Sequence, residues 1–157
     1  MEPEPIRRGI EKFQAVEHRL EFVATFNGVE YYNDSKATNV DATAKAVAAF
    51  SSGVHLILGG KDKGSDYTLL SPLLRERVSA VYTIGSAAAK IESHLRGVVT
   101  IYSCETLEKA VSAAASAARP GDVVLLAPAC SSYDQFENYE ERGRVFKQLV
   151  SERQRWK

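Results

Sequence analysis

Apolar positions along the chain fall into two rhythms. From Leu20 through Glu21, Phe22, Val23, Ala24 and Thr25 to Phe26 they alternate with the period of a half-buried strand. Asn27-Gly28 follows. Both central residues of a tight hairpin turn need positive φ, which Asn and Gly tolerate best, so residues 29–32 are predicted to be the return strand. Beyond them the pattern becomes strand, loop, helix, repeated. Residues 39–50 are Ala-rich and predict a helix capped near Asn39 or Asp41. Residues 54–58 form a continuous apolar strand ended by Gly59-Gly60, and 67–77 a helix with Pro72 an irregularity near its start. Strands are predicted at 80–84, 98–102 and 122–126, and helices at 87–95, 107–118 and 138–154. Arg119-Pro120-Gly121 stops the helix at 107–118. A short lead-in helix is predicted at 6–13.

Short apolar strands alternating with helices imply a Rossmann-like α/β fold. Its sheet has about six mostly parallel strands, is covered by helices on both faces, and gains an antiparallel edge strand from the N-terminal hairpin. Ligands of such sheets sit at the carboxyl ends of the strands. Five loops leave those ends, starting near Asn33, Gly59, Gly85, Ser103 and Ala127.

Composition narrows the function classes. The 157 residues suit one domain, and 20 basic residues cancel 20 acidic ones, so no general attraction to nucleic acid or an anionic membrane is expected. No apolar run approaches the ~20 residues of a membrane span. The two cysteines, Cys104 and Cys130, lack the spacing of a disulfide scaffold or a zinc site, and a reducing cytoplasm is the simpler reading. Residues 1–5, acidic and Pro-rich, read as a linker or an introduced start, and 6–157 as the domain.

Three of the rim loops carry candidate chemistry. In Asn33-Asp34-Ser35-Lys36-Ala37-Thr38-Asn39 a cation, a hydroxyl and the free N–H groups of a helix start suit a carboxylate or phosphate. Asp34 can accept from ribose hydroxyls; the alternative is that Asp34 and Asn39 only turn and cap the chain. Gly59-Gly60-Lys61-Asp62-Lys63-Gly64-Ser65 lacks the Lys-[Ser/Thr] that a P-loop needs after its second glycine, leaving a turn with two rim lysines. One can pair with a substrate carboxylate, or both are solvated. Ala127-Pro128-Ala129-Cys130-Ser131-Ser132-Tyr133-Asp134-Gln135-Phe136 offers the hydroxyls of Ser131 and Ser132 to an anion. No GxSxG supports a serine nucleophile there, and His18, His55 and His94 lie on a lead-in, a strand and a helix, away from Cys130. No metal constellation is evident.

Taken in order, these loops resemble one family. His18-Arg19-Leu20-Glu21, Asn27-Gly28-Val29, the 33–39 string, Leu58-Gly59-Gly60 with Lys63, the 127–136 string and Glu141-Arg142-Gly143 are similar to the C-terminal domain of Mur ligases, in the D-glutamate-adding branch. The resemblance runs from about Ile6 to Val150. It implies ATP-dependent amide formation in peptidoglycan precursor synthesis, through an acyl phosphate that the amine of D-glutamate attacks. It also implies a cytoplasmic monomer acting on UDP-N-acetylmuramoyl-L-alanine held by other domains. ATP and Mg2+ would serve the full-length enzyme, with none held tightly by this domain alone. By resemblance, Thr38 and Lys63 hold one D-glutamate carboxylate, and Ser132 with the backbone around Tyr133 and Tyr139 holds the other. Arg19 and Asp34 reach the nucleotide, Asp34 at the ribose, and Lys36 sits on the phosphate side. No metal ligand and no firmly catalytic residue is expected in the domain. Ala127 stands where the family often has Ser, and Tyr139 where Phe is expected. The UDP-binding and ATP-binding domains are missing from the chain, so it is expected to be inactive alone. Two alternatives stay open: the equivalent domain of a sibling Mur ligase or folylpolyglutamate synthase, and a freestanding nucleotide- or amino-acid-binding module without catalysis.

Overall fold

A computed structural model describes residues 16–155; the lead-in helix expected at 6–13 lies outside them. The described chain forms strands β1 (Glu21–Phe26), β2 (Val29–Asn33), β3 (Val54–Gly59), β4 (Val78–Ile84), β5 (Ile101–Glu105) and β6 (Val123–Leu126). Helices are α1 (Val40–Ala48), α2 (Ser71–Arg77), α3 (Ala88–Leu95), α4 (Leu107–Ala117) and α5 (Tyr139–Arg155), with a 3-10 turn at Tyr67–Leu70 leading into α2. The six strands lie in one sheet in the order β1-β2-β6-β3-β4-β5. Only the β1–β2 pair is antiparallel, and β1 takes the edge.

Local chemistry explains the boundaries. Asn27 and Gly28 both have positive φ, 55° and 77°, the requirement of the tight turn between β1 and β2. Asn39 caps α1, its side-chain oxygen accepting from the Ala42 N–H at 2.8 Å, which stabilises the helix by about 1 kcal/mol. Pro72 sits in the first turn of α2, where its missing N–H costs nothing. The preceding residues therefore wind as a separate 3-10 turn rather than as one helix from 67 to 77.

One boundary differs from expectation. The strand predicted at 98–102 lies at Ile101–Glu105. Gly97 takes φ 81° and the Val98 N–H closes a turn onto the Leu95 carbonyl at 3.0 Å. Val98 and Val99 then pack half-buried against the core from that turn, so their β-branched character reflects burial rather than pairing. Pairing with β4 starts at Ile101 opposite Val81.

The sheet divides two apolar layers. On one face Leu56, Leu58, Val81 and Leu125 meet α1, α2 and α3 through Val47, Leu74 and Ile91. On the other, Ile57, Tyr82, Val124 and Leu126 meet α4 and α5 through Val111, Phe146 and Val150. Successive residues of β3 and β6 thus serve opposite faces, as the two-residue strand period requires. The chain leaves β2 and β3 toward the first face and β6 toward the second. The three loops therefore part at the carboxyl ends of neighbouring strands, where α/β sheets open a crevice.

Candidate functional site

Backbone hydrogen bonds tie the rim loops to one another. The Ala129 N–H donates to the Ala37 carbonyl at 2.9 Å, joining the loop after β6 to the loop after β2. Lys61 and Ser131 exchange both backbone bonds, at 2.9 and 3.2 Å, joining the loop after β3 to the loop after β6. Gly60 has φ 134°, and a Cβ there would collide with the Ser131 carbonyl, so only glycine lets the two loops come this close. The loop after β4 joins in through the Ser86 N–H, which donates to Asp134 Oδ2 at 2.8 Å.

Arg142 of α5 anchors this assembly from below. It is fully buried, and its guanidinium donates to Ser35 Oγ at 2.9 Å, to the Ser35 carbonyl at 2.8 Å and to the Cys130 carbonyl at 3.1 Å. Ser35 Oγ in turn donates to the Tyr139 carbonyl at 2.7 Å. Burial pushes the Arg142 guanidinium down to about 10, so it stays charged at neutral pH. Nothing in the Glu141-Arg142-Gly143 string marks this role. An arginine in a highly charged helix reads as a solvated side chain.

Beside this anchor lies a cavity of about 790 Å³ lined by Arg19, Asp34, Lys36, Thr38, Lys45 and Tyr139, among others. It thus gathers the three expected nucleotide-side residues with Thr38 and Tyr139. Lys63, Ser132 and Tyr133 lie on other loops and outside its lining. Lys36 Nζ sits 3.4 Å from the Tyr139 hydroxyl and 5.4 Å from its ring centroid. The hydroxyl that distinguishes this chain from the expected Phe is therefore engaged by a lysine. Lys63 is exposed and makes no hydrogen bond or ion pair among the described residues. Ser132 is 2% exposed, yet its hydroxyl has no partner among them. Ser131 is committed, its hydroxyl reaching the Lys61 carbonyl at 3.4 Å. Tyr133 is 67% exposed.

Asp34 is 7% exposed, and burial raises its carboxyl to about 6 against the opposing pull of the Leu20 N–H and the Arg19 charge. The folded state therefore holds this proton more tightly than the unfolded chain. Its contribution to stability is full below the unfolded value near 3.8 and is lost as pH rises through about 6. Asp34→Asn is accordingly expected to be more stable than the parent by about 2 kcal/mol at pH 8 and equal to it near pH 4, as read by urea denaturation. An unchanged difference between the two pH values would contradict the burial argument.

Glu17, His18 and Glu21 place potential metal-ligand atoms within 4.8 Å of one another. Hydrogen bonding argues against an ion there. The Ser35 N–H donates to Asn33 Oδ1 at 3.1 Å, which fixes the amide, so Asn33 Nδ2 donates to His18 Nδ1 at 2.8 Å and to Glu21 Oε1 at 3.1 Å. The proton of neutral His18 then sits on Nε2, the nitrogen facing Glu17 at 3.5 Å, too far for a hydrogen bond, and no lone pair is left for a metal. Lys147 already pairs with Glu17 at 2.6 Å and Glu21 at 3.1 Å. The cluster is a clamp between the start of the described chain and α5.

Residues 18–130 match the family model described as Mur ligase, glutamate ligase domain, and the chain belongs to that family. Within it the chain is 66% identical over 148 residues to the UDP-N-acetylmuramoylalanine–D-glutamate ligase of Koribacter versatilis, and 67% identical over 147 residues to that of Acidobacterium capsulatum. Each alignment covers 94% of this chain and 32% of the relative, so the chain spans about a third of the length of these relatives. Among solved structures, the bifunctional folylpolyglutamate synthase/dihydrofolate synthase of Yersinia pestis superposes with a TM-score of 0.60 at 22% identity, over 96% of this chain and 35% of that one. The MurF ligase of Thermotoga maritima superposes with a TM-score of 0.58 at 19% identity, over 88% and 32%. At such identities these two establish the shared fold alone.

Proposed function

We propose that this chain is the acceptor-binding, C-terminal domain of a cytoplasmic ligase that joins D-glutamate to UDP-N-acetylmuramoyl-L-alanine at the expense of ATP. One observation carries the reading. Two donors without partners among the described residues, the exposed Lys63 ammonium and the nearly buried Ser132 hydroxyl, flank the backbone bridge between Lys61 and Ser131. Lys63 is two residues beyond one end of that bridge and Ser132 one residue beyond the other. Such an arrangement suits a small molecule with two carboxylates. Identity of 66–67% to ligases named for D-glutamate favours that branch over the folate and sibling branches, whose solved structures match at 19–22% identity.

In this account Lys63 and Thr38 grip one carboxylate of D-glutamate, while Ser132, with backbone N–H groups near Tyr133 and Tyr139, grips the other. Two fixed carboxylates leave the amine one direction to point, which is a physical basis for choosing between enantiomers. Arg19 and Asp34 face the nucleotide, with Asp34 accepting from ribose hydroxyls, and Lys36 offsets charge on the transferring phosphoryl group. The cavity fits that task in its polar lining: Arg19, Lys36 and Lys45 converge with Asp34 and Asp41 beside the helix N-terminus after Asn39, and Lys45 is paired with Asp41 at 3.3 Å. Mg2+ would arrive with ATP and offset the charge of its phosphates, and no side chain of this domain is assigned to hold it. The amine attacks the acyl phosphate, the C–O bond to phosphate breaks, the amide forms, and the amine's proton leaves to solvent or phosphate.

Closure onto an ATP-binding domain would complete the site. The purified chain with ATP, Mg2+ and both substrates is therefore expected to form no amide product by mass spectrometry, and product above background would overturn this division of labour. The binding roles are tested by nitrogen-15 NMR of the chain. D-Glutamate is expected to shift the loops at Thr38, Lys63 and Ser132, and ADP the residues Arg19, Asp34 and Lys36. Shifts from either ligand confined to other surfaces would reject the assignment.

A further inference from the structure

The turn that carries Lys63 is fastened more thoroughly than an exposed loop requires, and one side chain does most of the fastening. Asp62 Oδ2 accepts from Lys90 Nζ at 2.9 Å and from the Gly64 N–H at 3.0 Å. Its Oδ1 accepts from the Tyr67 hydroxyl at 2.7 Å and from the Ser65 N–H at 3.3 Å. Both carboxylate oxygens are thus doubly engaged, and these bonds, Lys90's first, hold the group well below the usual carboxylate range. The ring closed from Asp62 to the Gly64 N–H spans Lys63, which stands at the apex of an Asx-type turn.

The fastening reaches both neighbouring walls. Lys90 lies on α3, with its ammonium 5.6 Å from the centroid of the Tyr67 ring. The Tyr67 hydroxyl is also 3.0 Å from Cys130 Sγ, two residues before Ser132. On the other side Lys61 bonds to Ser131.

We infer that Asp62 is a positioning residue, holding the turn that presents Lys63 to the acceptor amino acid while Lys90 keeps Asp62 from pairing with Lys63. This rests on the proposed function. Two physical effects follow. A turn ordered before the ligand arrives removes an ordering cost from binding. An Asp62 carboxylate deprived of Lys90 would compete with the substrate carboxylate for the neighbouring ammonium. Tyr67, Lys90 and Asp62 therefore act on the acceptor side alone, and neither Asp62 nor Lys90 lines the cavity assigned to the nucleotide.

The test is steady-state kinetics of the full-length ligase carrying this domain, varying D-glutamate and ATP separately. Asp62→Ala is expected to raise the KM for D-glutamate about tenfold, with kcat and the KM for ATP within about twofold of the parent. Lys90→Met is expected to raise it about threefold to fivefold, and Lys90→Arg, which keeps the charge, to stay within about twofold. Asp62→Asn, which keeps an acceptor for the turn, serves where the alanine variant does not fold, and is expected to fall between the two. Equal losses in the KM for ATP and D-glutamate, or no rescue by Lys90→Arg, would mark a merely structural role. Lys63→Ala is the control that separates two failures. A raised D-glutamate KM in Lys63→Ala with none in the Asp62 variants overturns this inference alone. No change in Lys63→Ala overturns the proposed function beneath it.

Discussion

Arg142→Ala is expected to remove about 4 kcal/mol from the stability of the fold, a large share of the roughly 5–15 kcal/mol that holds a domain of this size together. All three hydrogen-bond partners of the guanidinium are neutral: the Ser35 hydroxyl, the Ser35 carbonyl and the Cys130 carbonyl. Truncation leaves two buried carbonyls without a donor, at about 1–3 kcal/mol each, and adds a cavity term for a large side chain. Arg142→Met separates the two contributions because it fills most of the volume and donates nothing. It should recover the cavity term and leave the polar term. Arg142→Lys has one nitrogen for three acceptors spread across two loops and is expected to recover less than half of the loss. Urea denaturation reads all three variants. A loss below about 1 kcal/mol in Arg142→Ala would mean that water replaces the guanidinium, and that the loops after β2 and β6 do not depend on it.

Lys63→Ala is expected to do the opposite, sparing the fold and disabling the site. Lys63 is exposed and bonds to nothing among the described residues, so urea stability should stay within about 0.5 kcal/mol of the parent. On the proposed assignment, the same change in the full-length ligase removes a charge-assisted bond to a substrate carboxylate. Such a bond is worth about 2–3 kcal/mol, so the KM for D-glutamate should rise about 30-fold to 150-fold. Ser132→Ala loses a neutral donor and is expected to cost about tenfold. Lys63→Ala with an unchanged KM would leave the acceptor carboxylate without its assigned cation.

Much of the fold could be read from the residues because local chemistry dictated it. Asn27-Gly28 demanded a hairpin, and the alternation in 20–26 marked its first strand, although a register shift between Phe22 and Ala24 puts Leu20 and Phe22 on one layer and Val23, Ala24 and Phe26 on the other. Pro72 announced a break in the helix that starts near Tyr67, and the structure has a 3-10 turn there. The insertion of β6 between β2 and β3 was not legible, because strand order comes from long-range packing that no local pattern encodes. The strand at 98–102 was misplaced by three residues at its start, since Val98 and Val99 are apolar for burial and not for pairing.

The candidate site divides the same way. Its loops were legible because small and polar residues cluster at strand ends, where only a ligand or a turn explains them. Arg142 was not, because a buried arginine and a solvated one look alike among Glu140, Glu141 and Arg144. Asp62 was passed over for the same reason, its partner Lys90 lying on a different helix. Charged side chains reveal their partners only in three dimensions, and here those partners are what hold the loops together.

The central claim is that this rim receives D-glutamate. Its most direct test is the amide product formed by the full-length ligase from UDP-N-acetylmuramoyl-L-alanine and ATP with D-glutamate, L-glutamate or a basic amino acid as acceptor, resolved by mass spectrometry. The account predicts product with D-glutamate at a rate at least about 100-fold above either competitor, because only that enantiomer fills both carboxylate sites with its amine aimed at the acyl phosphate. Equal turnover of L-glutamate, or preference for the basic amino acid, would contradict it.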